Sequence, residues 1–177
     1  MSRFLNAGRA GTLGKNRPSR RRPSAVDPAA RRVFVARMPE PAPALRPLPH
    51  TVGEAYAFDE IRAALGGDPK PPNFVIHKDG AVVGVCLGTA WNPRAESEPC
   101  EVWVGRKDTQ PQWGIKLAET RGALPVYVRR TEGGPWFYKG LHEVAGQTTD
   151  PRDIRPRLLP PKIVAVAQVI LLRKVAD

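Results

Sequence analysis

"PVYVRRTEGGPWFYKG", residues 125–140, decides how the rest of this chain is read. Two short runs of β-branched and aromatic residues flank a polar, glycine-containing segment, the pattern of a hairpin. With Thr131–Gly134 as the turn, Arg129 faces Trp136, Val128 faces Phe137 and Tyr127 faces Tyr138. Side chains alternate between the two faces of a strand. One face therefore carries Val126, Val128, Phe137 and Leu141, with Lys139 toward its far end, and is a core face. The other carries Tyr127, Arg129, Trp136, Tyr138 and His142. Two readings of this aromatic and cationic face stand open. It stacks bases and pairs with phosphates, where each stacked base is worth about 1–3 kcal/mol, or it packs under the N-terminal linker or against a helix. A slip of one residue in the register would exchange the two faces.

The flanking sequence is also rich in strands. "NFVIHK" (73–78) and "AVVGVCLGT" (81–89) enclose Asp79-Gly80, a hairpin signal. "CEVWVG" (100–105) reads as a further strand, and "WFYKGLHEV" (136–144) as the return of the central hairpin. The apolar run in "KIVAVAQVILLRK" (162–174) is too short to span a bilayer as a helix and reads as a buried strand. "RRVFVARM" (31–38) is a seventh strand, and "PEPAPALRPLPH" (39–50) an extended linker. The main helix is expected over 51–67, with Thr51 and Glu54 as a capping box and Gly66-Gly67 as its end. "WGIKLAETRG" (113–122) adds at most a helical turn. Seven short strands with one main helix predict an α+β, mainly β domain over 31–177, built as a small bent sheet or a partly closed barrel.

The chain carries 28 Lys and Arg against 17 Asp and Glu, a net charge of +11, which calls for an anionic partner. Residues 1–32 hold nine basic residues and one acid, so the rest of the chain is only +3. "GKNRPSRRRPSAVDPAA" has nothing to bury, and residues 1–30 are expected to be a disordered basic arm. Its Arg20, Arg21 and Arg22 could graze phosphates, although a transit peptide or a plain solubilising tail has the same composition. Two cysteines, Cys86 and Cys100, make neither a disulfide framework nor a zinc site, and read as reduced thiols of a cytoplasmic protein. No apolar core of a signal peptide follows Arg3 or Arg9.

Beside the hairpin face, Arg106 and Lys107 follow a strand, and Trp113 ends the polar loop "KDTQPQW", where it either stacks on a base or seals a barrel end. Trp91 reads as a core-sealing residue. Arg152, Arg155, Arg157 and Lys162 form a second basic stretch. Chemistry is harder to find. There is no phosphate loop, no nucleophile elbow and no metal-type spacing of His50, His77 and His142 with the cysteines. The loosest enzymatic constellation is Glu101, Glu119 and His142 with Lys116. No cofactor or metal is expected.

The segment Asn73–Lys174 resembles the PUA-like β-barrels, the superfamily of the SRA, EVE and ASCH domains. "LPVYVRR…WFYKGLHEV" is similar to strand pairs in modified-DNA reader domains associated with restriction systems. The resemblance implies a barrel that binds DNA or RNA, sometimes with a base flipped into an aromatic-lined pocket. It supplies no site residue, and Lys78, not an aromatic, precedes Asp79-Gly80. The expected function is a non-enzymatic nucleic-acid-binding module with the basic arm on phosphates. The alternatives are a hydrolase of nucleic acids or nucleotides, ASCH-like or a nuclease, and a protein-interaction factor.

Overall fold

In the computed structural model the described residues are 48–69, 74–157 and 165–176. The chain divides into two compact units, Met1–Pro39 and Glu40–Asp177. The first lies outside the described residues, together with the arm, the strand expected at 31–38 and most of the linker.

The second unit is mainly β, with its sheet curled into a half-barrel. In chain order its elements are β1 (Ala55–Tyr56), α1 (Phe58–Leu65), β2 (Val75–Lys78), β3 (Ala81–Gly88), β4 (Cys100–Gly105), α2 (Gln110–Glu119), β5 (Leu124–Arg129), β6 (Trp136–Thr148), α3 (Pro151–Ile154) and β7 (Val166–Ala176). The sheet runs β2-β3-β5-β6-β7-β4, with β1 added to β6. All pairs are antiparallel except β3 with β5, which are joined by a crossover containing β4 and α2.

The local chemistry explains most boundaries. Asp79 and Gly80 both take positive φ, 51° and 78°, as a tight two-residue hairpin turn demands. The central hairpin has the expected register, with Tyr127 opposite Tyr138 and Val128 opposite Phe137. β6 is longer than its apolar run suggests, because β7 pairs with its second half from Leu141 to Thr148. Its first residues would then leave an edge open, and β1 occupies it: Ala55 pairs with Phe137 and Tyr56 with Trp136.

That pairing overturns the helix start expected at Thr51. Gly53 sits at φ 88°, its N–H donates to Tyr138 O, and Glu54 O accepts from Tyr138 N. The backbone of 53–56 is thus committed to the sheet. The helix begins at Phe58, and Glu60, not Glu54, reaches back to the entry backbone, accepting from Ala57 N at 2.7 Å. Its end is as expected, at left-handed Gly66.

α2 is a second correction. Ten residues are helical where a single turn was expected, so the domain has two helices of comparable size. Pro111 lies in the first turn, where a missing N–H costs nothing. The helix buries Gly114 and Leu117 and packs on β3, β4, β6 and β7.

The principal core lies between the curled sheet and α2. It unites Val75 and Val85 at one end of the sheet, Val126 and Val128 at its centre, Val102 and Val104 at the other end, and Leu117 of the helix. Burying each such aliphatic side chain is worth about 1.5–3 kcal/mol. A second core lies on the opposite face, where Ile61, Ile76, Cys86, Tyr127, Trp136 and Tyr138 meet partly buried Leu48, Tyr56 and Phe58. Cys86 and Cys100 are separate, buried free thiols. Among the described residues, no helix is long and apolar enough to cross a membrane.

The contact of α2 with β4 depends on Gly114. A β-carbon there would come within 2.5 Å of Gln168 Oε1 and 2.9 Å of Val104 Cγ1. Gly114→Val should therefore destabilise the protein by about 1–3 kcal/mol through overpacking, since the small gain in helix propensity does not compensate. Thermal denaturation measures this directly, and an unchanged melting temperature would contradict the close packing.

Candidate functional site

The two faces of the central hairpin divide as the register requires, but half of the aromatic face is covered. Tyr127 and Tyr138 are 0% and 4% exposed and belong to the second core. Tyr127 Oη is 2.7 Å from His50 Nδ1, and its ring is 5.0 Å from that of Tyr138. His50 also lies 4.0 Å from Tyr56. These tyrosines are not a surface platform; the strap ahead of α1 covers them. That is the packing alternative left open by the sequence, realised for half of the predicted face.

The other half opens into a cavity of about 490 Å³. Arg129 ends β5 and Trp136 begins β6, so the hairpin register sets them side by side, with the guanidinium 4.6 Å from the indole centre. Trp91 comes from the turn after β3, where Trp91 N and Asn92 N both donate to Gly88 O at 2.9 Å. Trp103, from the middle of β4, is held by its Nε1 donating to Glu101 Oε2 at 2.9 Å. Arg106 and Lys107, exposed just past the end of β4, complete the wall. Three of the four tryptophans of the chain line one space. Of the residues singled out in the sequence, Arg106, Lys107, Arg129 and Trp136 line this cavity. Trp91, expected to seal the core, is 40% exposed at the cavity. Trp103 and Asn92 carried no signal, because only the fold brings the β3 turn beside β4.

The charge pattern of the lining is one-sided. Among the described residues, no Asp or Glu lines the cavity. Elsewhere arginines meet carboxylates: Arg62 meets Asp59, Arg94 and Arg157 meet Glu101, Arg130 meets Glu96, and Arg173 meets Glu143. Arg106, Lys107 and Arg129 take part in none of the ion pairs among the described residues. A low-dielectric wall lined by one sign of charge attracts an anion.

Other predicted residues fall elsewhere. Trp113 is on α2, stacked on His77 at 4.4 Å with Lys116 Nζ 4.7 Å from its ring centre, and is not part of the cavity. Arg157 is an ion-pair residue; Arg152 and Arg155 are exposed. Arg20, Arg21, Arg22 and Lys162 lie outside the described residues.

Neither described cavity is lined by more than one of Glu101, Glu119, His142 and Lys116. Glu101 is an ion-pair hub, bound by Arg94 at 3.2 Å, Arg157 at 3.0 Å and the Trp103 indole. Burial would raise its pKa, but the hydrogen bonds and charges of these partners outweigh burial and hold it below the ordinary carboxylate value. Glu119 is exposed at the end of α2. His142 is buried, which lowers its pKa even though Nδ1 donates to Gly140 O. Lys116 Nζ donates to Gly80 O. Among the described residues no three His, Cys, Asp or Glu side chains could hold a metal ion.

No family model and no curated protein matches the chain. A solved complex of the SUVH5 SRA domain with hemimethylated CG DNA superposes with a TM-score of 0.45 at 11% identity, over 73% of this chain and 91% of that one.

The Glu101 cluster sets an expected pH dependence. A carboxylate with a depressed folded-state pKa contributes stability above its unfolded value near 4.5, and the contribution fades as pH falls through the folded value. Glu101→Gln should cost about 1.5–3 kcal/mol at neutral pH, the worth of hydrogen bonds to a charged group. The gap to the wild type should narrow below pH 4.5. Urea titrations from pH 7 to pH 3 test this, and a gap independent of pH would show that the carboxylate charge is not what matters.

Proposed function

We propose that this protein is a nucleic-acid-binding module that takes a single base, plain or modified, into the tryptophan-lined cavity. The observation that carries the reading is the composition of that wall: three indoles together with three cations that no carboxylate among the described residues neutralises. An aromatic group carrying a phosphate matches both halves. Indoles offer stacking faces, and arginine binds phosphate with a planar fork. The volume lies within the usual range of about 300–1,000 Å³ for ligand sites. A base reaches such a space from a single strand or by leaving a duplex stack.

Arg129, half-buried against Trp136, is set to meet the ligand inside. Arg106 and Lys107, fully exposed, are set to meet flanking backbone phosphates. The arm, with its +8 over residues 1–32, adds affinity without sequence preference. The site as first read from the hairpin thus keeps Arg129 and Trp136 and exchanges Tyr127 and Tyr138 for Trp91 and Trp103. A hydrolytic role has less support, because Glu101 is occupied by two arginines and an indole.

The test is fluorescence anisotropy of the full chain with single- and double-stranded DNA and RNA over a salt series. Trp91→Ala, a change at a partly exposed residue, should weaken binding by about 1–3 kcal/mol with an unchanged salt slope. Arg106→Ala with Lys107→Ala should reduce the slope of log affinity against log salt by about 1.5. Trp91→Ala binding as tightly as the wild type would sink the reading. A steep salt slope indifferent to both changes would leave only the polycationic arm.

A further inference from the structure

We infer that Asn92 selects the ligand by donating a hydrogen bond to an exocyclic carbonyl of the buried base, so that keto bases are preferred to amino bases. This rests on the base-in-cavity reading and adds to it the chemical group that is recognised.

Asn92 lines the cavity and is only 4% exposed. Its Oδ1 accepts from Trp103 N at 2.7 Å. A peptide N–H can only donate, so this bond fixes which end of the amide is oxygen. The Nδ2 end is then a donor of fixed direction. It makes no hydrogen bond to any described residue. Asn92 thus brings to the cavity lining an amide whose oxygen is taken and whose N–H2 end has no partner among the described residues. A nearly buried donor of this kind calls for an acceptor from whatever fills the space.

The position of Asn92 separates its partner from the phosphate. Arg106 and Lys107 are exposed and meet anions from outside, whereas Asn92 is among the buried residues of the lining. The group that meets Asn92 belongs to the base. An exocyclic amino group placed there would set donor against donor, and the lining offers no carboxylate among the described residues to receive it. An exocyclic carbonyl completes the pair. Leaving buried donors unmatched is what gives polar sites their discrimination.

The experiment uses the full chain and strands that are abasic except for one central base: uracil, cytosine, hypoxanthine or adenine. The wild type should bind uracil over cytosine and hypoxanthine over adenine, each by roughly tenfold. Asn92→Asp keeps an acceptor for Trp103 N and replaces the donor with a second acceptor, so it should reverse both preferences. A melting curve establishes that the variant folds; if it does not, the wild-type ratios decide alone. Equal affinity for the keto and amino members of each pair, or a preference for the amino members, would overturn the inference while leaving base binding intact. An affinity for all four no greater than for a wholly abasic strand would remove the base-in-cavity reading and this inference with it.

Discussion

The register of β5 between its neighbours is the constraint from which the site follows. On one side β5 runs parallel to β3, with Cys86 beside Tyr127 and Gly88 beside Arg129. On the other it runs antiparallel to β6, with Tyr127 opposite Tyr138. Parallel pairing puts the C-terminal ends of β3 and β5 at the same end of the sheet, and Thr89 N donating to Arg129 O extends that alignment into the next turn. The turn that carries Trp91 and Asn92 must therefore emerge beside Arg129. The antiparallel return brings Trp136 to the same place. A shift of β5 by one residue would send Arg129 into the core and its valines outward, at a cost no local contact could offset.

The electrostatics of the site are a matter of distribution, not of total charge. Beyond residue 32 the chain carries only +3. Its acids nevertheless pair with arginines that are not part of the cavity lining: Glu96 with Arg130, Glu143 with Arg173, and Glu101 with Arg94 and Arg157. The second cavity, by contrast, mixes Glu96 and Glu98 with Arg130, Lys139 and Lys174. Cations left uncompensated at one concave wall are more effective than a larger charge spread over a convex surface. Arg129 is held there by the face of Trp136, an attraction that orders the guanidinium without consuming its hydrogen-bond donors.

How far the fold could be read from sequence depended on whether each signal was local. The Asp79-Gly80 hairpin, the strand at Cys100–Gly105 and the final strand were legible because alternation and turn chemistry suffice for them. α2 was hidden by Pro111, which reads as a breaker until its place in the first turn is known. The start of α1 was misplaced because the pairing of residues 55–56 with β6 is a tertiary event that overrides a plausible cap. The aromatic face was correctly assembled and only half correctly exposed: periodicity gives sidedness, but not whether a second layer covers the side it identifies. His50, Tyr56 and Phe58 supply that layer from 69 or more residues away in sequence. Trp91 was read as sealing the core and Asn92 was not seen at all, since a turn residue gains meaning only from the strand it meets.

The same turn also closes the sheet. β4 is last in the strand order, and an edge strand must have its outer N–H groups answered. Arg94 O accepts from Glu101 N at 3.2 Å and Asn92 Oδ1 accepts from Trp103 N at 2.7 Å, so the segment after β3 stands in for a missing strand. Ala95 N donating to Asn92 O keeps that segment folded on itself. Edge protection and cavity formation are thus one structural event. An amide that served only the edge could be replaced by any acceptor, and one that served only the cavity could sit on a mobile loop. Asn92 does both, which ties the direction of its free N–H2 group to the backbone of a strand buried along its whole length.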